Sequence, residues 1–320
     1  MIIPALLAVL ASHPAPCIAE GNAGPAMPAQ APDEFYRLVS RGEKVEKLAG
    51  SFGFTEGPVW IPERGELLFS DTPNDRIVRW MPLKTGPELG TFRLPSGRSN
   101  GLVLDREGRL IACEHGTRRV SRTGNDGTVV TLADRFEGRR LNSPNDAVVK
   151  SDGSVYFTDP PYGVRDTDRE LSFQGVYRIA PDGKLSLLVR DFVKPNGLAF
   201  SPDERTLYVA DTDASLIRAF DVAKNGSLRG GRVFAAIEWP DGMKVDREGN
   251  VYCAGAGGVW IFDSTGRKYG VIEMPEAPAN CGFGGSDGRI LFVTARTGLY
   301  RIRVNVAGVG PAMSPAPLAP

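Results

Sequence analysis

The sequence predicts an all-β fold: a six-bladed β-propeller of four-stranded antiparallel blades, its ring closed by an N-terminal strand that joins the last blade. Three observations predict it. An opening phrase, an acid or amide followed by an apolar run, a tight turn and a second β-rich run, recurs at Glu56, Asn100, Asn145, Asn196, Asp241 and Asn280. The successive spacings are 44, 45, 51, 45 and 39 residues, and a period near 45 built from short strands marks one repeat per blade. The 320 residues include 38 glycines and 25 prolines, a composition that suits turns and short strands better than long helices. Finally, the sixth repeat ends near Val304 with no room for its outer strand, while VEKLAGS at 45–51 is a strand without a blade. Joining the two removes the open edges of the ring.

From the N-terminus, MIIPALLAVLASHPAPCIAE is apolar, has small residues near Ala19 and carries no Lys or Arg before Arg37. Residues 1–19 read as a secretory signal that lacks the usual positive start, which places the protein in the periplasm or outside the cell. Without such a signal the expectation is cytoplasmic. Residues 20–40 read as a flexible leader, 41–305 as the propeller and 306–320 as a Pro/Ala-rich tail. No later apolar run is long enough to span a bilayer. Lys plus Arg equals Asp plus Glu at 38 each, so no basic excess points to nucleic acid. Cys17 lies in the signal; Cys113, Cys253 and Cys281 form neither a disulfide framework nor a zinc pattern.

Each repeat follows the same plan. The run after the opener reads as a buried innermost strand. DREG, SDG or SPDE then supplies a tight turn. LIAC, VYFT and LYVA make second strands, and RIVRW, RRVSR, GVYRI, LIRAF, GVWIF and GLYRI make third strands. TVVTLA and LSLLVR supply outer strands.

Innermost strands line the tunnel of a propeller, so the six openers face one another at one mouth. A single Asn-Gly or Asp-Gly is ordinarily a turn device. Two carboxylates converging on one axis, however, repel unless a cation sits between them. Four amides and two acids offer only oxygen ligands, which suit a hard divalent cation such as Ca²⁺. The second strand returns to the same mouth, so Asp71, Glu114, Asp159 and Asp211 fall around it at larger radius, with His115 beside Glu114. The longest insertion, DPPYGVRDTDRELSFQG at 159–175, reaches the same end as a lid or wall, Tyr162 among its lining residues and RDTDRE as its solvated middle.

FTEGPVW, SPNDAVV, KPNGLAF, PDGMKVD and TDPPYG, in this order over residues 40–304, together resemble the gluconolactonase, senescence-marker-protein and luciferin-regenerating-enzyme family. The resemblance implies a six-bladed propeller with one divalent metal at the tunnel mouth. It implies Glu56, Asn196 and Asp241 as metal ligands, Asn145 as a contact to metal or substrate, and Asp241 as the base. Zn²⁺, Mn²⁺ or Mg²⁺ could stand in place of Ca²⁺. Animal members carry an arginine where this chain has Ser143, so sugar recognition differs there. The expected reaction is hydrolysis of a small-molecule sugar lactone such as glucono-1,5-lactone. Asn145 and Asn100 would hold ring oxygens or hydroxyls, Asp159 and Tyr162 would contact substrate, and His115 would take part in catalysis or orient the substrate. Two alternatives remain: a related metal-dependent lactonase, arylesterase or organophosphatase with another substrate, and a non-catalytic NHL-like binding propeller. The sequence leaves the oligomeric state open.

Overall fold

Five repeats offer four short β-forming runs separated by turns and the sixth offers three, and each run pairs antiparallel with the next. A computed structural model describes residues 32–310 and the backbone strand 23–26. Blade one comprises Thr55–Ile61, Glu66–Asp71, Arg76–Leu83 and Gly86–Arg93. Blades two to five repeat the pattern, with innermost strands Ser99–Leu104, Ala147–Val149, Pro195–Phe200 and Met243–Val245. Blade six has Pro278–Gly284 innermost, then Ile290–Ala295 and Gly298–Arg303.

Its fourth strand is Lys44–Ala49, paired antiparallel to Gly298–Arg303 with Glu46 opposite Arg301 and Lys47 opposite Tyr300. The closure expected from the missing outer strand is therefore the one the fold adopts. Arg301 Nε donates to Glu46 Oε2 at 2.7 Å across the seam, on the exposed face. Leu48 and Ala49 turn inward beside Phe52, Phe69 and Phe292. The Trp60 ring of blade one stacks on Phe292 of blade six at 5.5 Å, so the first and last blades share one core. Ala23–Ala26 adds a further strand outside Lys44–Ala49.

Two segments outside the blades are better ordered than their composition suggests. Residues 33–38, expected within a flexible leader, form a short helix, Asp33–Leu38, with Asp33 and Glu34 in its first turn, where carboxylates suit the helix dipole. Phe35 and Leu38 are fully buried with Tyr252, Ile272 and Tyr300; two large apolar anchors four residues or less apart outweigh a polar surrounding sequence. The start of the tail also packs. Val309 N–H donates to Val245 O and Arg247 N–H to Ala307 O, each at 2.9 Å, drawing residues 307–310 across the tunnel end opposite the openers. The signal at 1–19, with Cys17, and tail residues 311–320 lie outside the described residues.

Neighbouring innermost strands come very close at the opener end. A Cβ on Gly242 would lie 1.9 Å from Asn280 Cγ, and one on Gly197 would lie 2.3 Å from Asp241 O. Glycine at 197 and 242 thus lets these adjacent blades bring their openers together; a side chain at either position would push the neighbouring strand away. A registry shift follows the opener in blades one, two and four; such bulges re-aim a side chain, here the opener.

Candidate metal centre at the tunnel mouth

The six openers meet as expected, and five of them are almost wholly buried; Asp241 remains partly exposed. A directed chain of amide bonds links three of them, Asn100, Asn145 and Asn196. Asn100 Nδ2 donates to Asn145 Oδ1 at 3.0 Å, and Asn145 Nδ2 donates to Asn196 Oδ1 at 2.5 Å. Asn196 Nδ2 donates onward to Thr212 Oγ1 at 3.0 Å and Tyr162 OH at 3.2 Å. On the other side Asn280 Nδ2 donates to Glu56 Oε2 at 2.9 Å and to Asp146 Oδ2 at 3.3 Å. Gly57 N–H also donates to Glu56 Oε2, at 2.7 Å, so both bonds fall on one oxygen and Oε1 is left for another partner.

Asp146 is a member of this cluster that the repeat pattern hid. It stands one residue after its opener, where four other blades carry glycine, and that exception was the available signal. Its carboxylate accepts from Ala147 N–H at 2.9 Å and is buried. Burial, and next the Asp146 charge, push the Glu56 carboxyl up to about 7. Burial also raises Asp146, opposed by Lys244. Asp241 is raised well above the usual carboxylate range, by burial first and then by Glu56 and Asp146. Three acids crowd one low-dielectric mouth, each costing the others their charge.

His115 and Tyr162 belong to the site. The His115 ring nitrogen Nε2 lies 3.1 Å from Asn145 Oδ1, and the Tyr162 ring stacks alongside at 6.4 Å between centroids. Burial lowers His115 to about 4, so the imidazole is neutral at pH 7. With its amide nitrogen committed to Asn196, Asn145 can only accept from His115, so Nε2 carries the proton. His115 therefore orients Asn145 through that nitrogen. The segment that carries Tyr162 is fixed by Ser143, whose Oγ donates to Pro160 O at 2.6 Å and accepts from Gly163 N–H at 2.8 Å.

Asp159 is not brought into the cluster. It is fully buried, and Asn142 N–H donates to its Oδ2 at 2.8 Å; burial raises it to about 7. Asp71 and Asp211 do the same work in their blades. Asp71 Oδ1 accepts from Gly53 N–H at 2.9 Å, and Asp211 accepts from Val193 and Lys194 N–H at 2.9 and 2.8 Å. Each carboxylate at the end of a second strand grips the backbone two or three residues ahead of an opener. Glu114 instead pairs with Arg93 and Arg119, at 2.8 and 2.7 Å. Around the mouth, exposed apolar groups occur at Tyr162, Val193 and Trp239, the last 67% exposed and two residues before Asp241.

The donor set fits a hard cation. Glu56 Oε1, the Asp241 carboxylate and the remaining lone pair of Asn196 Oδ1 would offer oxygen donors to one such ion. Asn145 Oδ1 already accepts from Asn100 and His115, so in this arrangement it is the hub of the amide chain and not a ligand. Among the described residues no group of three or more His, Cys, Asp and Glu is arranged to hold a metal. The mouth pairs acids with amides, and Asp146 contributes charge at one remove.

Residues 54–297 match the family described as SMP-30/gluconolactonase/LRE-like region. A gluconolactonase of Zymomonas mobilis is 35% identical over 300 residues, covering 82% of each chain. The structure of a Xanthomonas campestris gluconolactonase is 35% identical with a TM-score of 0.80, covering 90% of this chain and 100% of that one. A calcium-binding regucalcin of Agrobacterium tumefaciens shares the fold at a TM-score of 0.69 and 21% identity, over 81% of this chain and 92% of its own. With the propeller and the mouth residues in place, these matches assign the chain to the SMP-30/gluconolactonase/LRE-like family.

Proposed function

We propose that this protein is a divalent-cation-dependent hydrolase that opens sugar lactones of the glucono-1,5-lactone type. The observation that carries the proposal is the convergence of Glu56, Asn196 and Asp241 at one mouth, with the amide chain behind them and His115 and Tyr162 beside them. The names of the relatives at 35% identity support the substrate class. A divalent cation held by Glu56, Asn196 and Asp241, with Ca²⁺ favoured by the all-oxygen set, supplies Lewis-acid polarisation of the lactone carbonyl.

The chain's own groups do the rest. Asp241, the one opener open to solvent, takes a proton from the water that attacks the carbonyl carbon. The bond from that carbon to the ring oxygen then breaks, and the ring oxygen takes up a proton, leaving a hydroxy acid. Asn100, locked by its bond to Asn145, presents its amide to substrate hydroxyls in a fixed orientation, and Asn145, held by His115 and Asn196, keeps one Nδ2 hydrogen for the same contact. Trp239 and Tyr162 offer aromatic faces to the sugar ring at the rim. Export of the mature chain belongs to the same reading, supported by the apolar stretch at 1–19.

Hydrolysis of glucono-1,5-lactone, other aldonolactones and an aryl ester, measured before and after chelation and after Ca²⁺ return, tests the proposal. Lactone opening that is lost with chelator and restored by Ca²⁺ is expected. Activity indifferent to chelation would remove the cation, and a preference for the aryl ester would replace the substrate class.

A further inference from the structure

Position three after the opener is equivalent in all six innermost strands. Five blades fill it with Val59, Val103, Val148, Ala199 and Phe283. Val59, Val103 and Phe283 line a cavity of about 360 Å³ at the far end of the tunnel, and Val148 and Ala199 line its neighbour. The sixth occupant is Lys244. A half-buried lysine in an otherwise apolar collar calls for a reason, because an ammonium there gives up part of its hydration. Its Nζ donates to Met243 O at 3.0 Å and bonds to neither Glu56 nor Asp146; it lies three residues after Asp241 on the innermost strand of blade five, below the mouth, and favours the charged form of both carboxylates. It is a charge placed beneath the carboxylates as a group, without a partner among them.

We infer that Lys244 is the fixed counter-charge of the tunnel mouth. When Glu56, Asp146 and Asp241 are all ionised, its ammonium trims the local charge from three negative to two and matches the site to a divalent ion. The inference rests on the cation site proposed above. Lys244 is a positioning residue: it need touch neither ion nor substrate, and it acts through the field it sets across the mouth.

The test measures Ca²⁺ and Tb³⁺ binding to the full-length protein by calorimetry, with circular dichroism to establish folding. Lys244→Met removes the charge, Lys244→Gln removes it with a shorter polar side chain, and Lys244→Arg keeps it. Because repulsion scales with ion charge, removing the ammonium should tighten Ca²⁺ on the order of tenfold and Tb³⁺ about thirtyfold. Lys244→Arg should bind both ions like the wild type. Neutral variants that fold but bind the two ions with the wild-type ratio, or both more weakly, would overturn the counter-charge. Failure of the wild type to bind either ion would instead overturn the cation site itself, so the two failures are told apart.

Discussion

At the residue scale, chemistry sits on side chains whose roles differ although their repeat positions are equivalent. Asp241 carries both ligation and proton transfer in the proposed reaction. Asp241→Asn should lower lactone hydrolysis by about two to four orders of magnitude, read as initial rates by pH-stat, while the fold survives. A rate within a few-fold of the wild type would remove Asp241 as the base. His115 is different: it is neutral and engaged with Asn145. His115→Ala should lower kcat/KM by roughly tenfold through a loosened Asn145, with the pH profile unshifted; a lost ionisation in that profile would instead make His115 the base. The Glu56 carboxyl, raised to about 7 from an ordinary value of 4.5, gives a pH dependence of definite sign. Without cation, the folded state holds this proton longer than the unfolded chain, so the group's contribution to stability falls as pH rises from 4.5 to 7. A cation at the mouth favours the ionised form and reverses that loss. The gain in melting temperature on adding Ca²⁺ should therefore grow from pH 5 to pH 8; a flat or shrinking gain would separate Glu56 from the cation. The openers were legible because six polar residues recur in phase. Asp146 and Lys244 were visible only as exceptions to the repeat, and their effect depends on a shared low-dielectric mouth that no linear pattern displays.

At the scale of the element, the last residue of each second strand shows how sequence position and side-chain direction separate. The sequence correctly sends Asp71, Asp159 and Asp211 to the opener end, but strand alternation does not say whether a terminal carboxylate turns to solvent, substrate or backbone. In the fold they meet unpaired N–H groups of the loops that deliver the openers. Those loops have no ladder of their own, so their donors need acceptors from elsewhere. Asp211→Ala should cost about 1–3 kcal/mol, because the part-buried Val193 and Lys194 N–H donors lose their charged acceptor. Urea unfolding checks this, and KM should rise as Asn196 loses its fixed approach. An unchanged midpoint would mean that water replaces the carboxylate without loss. The helix Asp33–Leu38 escaped the sequence reading for a related reason: six residues are too few for a periodic signal, and its stability comes from Phe35 and Leu38 entering a core formed by distant strands.

For the whole molecule, the period near 45 made the propeller legible because each blade buries its faces only against its neighbours, so the repeat must be kept around the ring. The missing outer strand of blade six pointed to the closing strand by the same logic. The crossing of the far tunnel end by residues 307–310 was not legible, since a Pro/Ala-rich segment gives no alternation and is held by backbone bonds to Val245 and the turn after it. Closure also links the ends of the chain to the chemistry. Lys44–Ala49 covers the edge of Gly298–Arg303, and Glu56 follows only seven residues after Ala49. Blade one could not hold Glu56 opposite Asn280 if blade six were left open, because Trp60 and Phe292 share the seam. A chain beginning at residue 41 should fold and bind Ca²⁺ despite losing the helix, though with a lower melting temperature. A chain beginning at residue 51 should expose an unpaired strand edge, associate with other copies as size-exclusion chromatography would show, and lose Ca²⁺ binding together with lactonase activity. If that shorter chain stayed monomeric and kept its affinity, the ring would not depend on its closing strand, and the mouth would be assembled by the remaining blades alone.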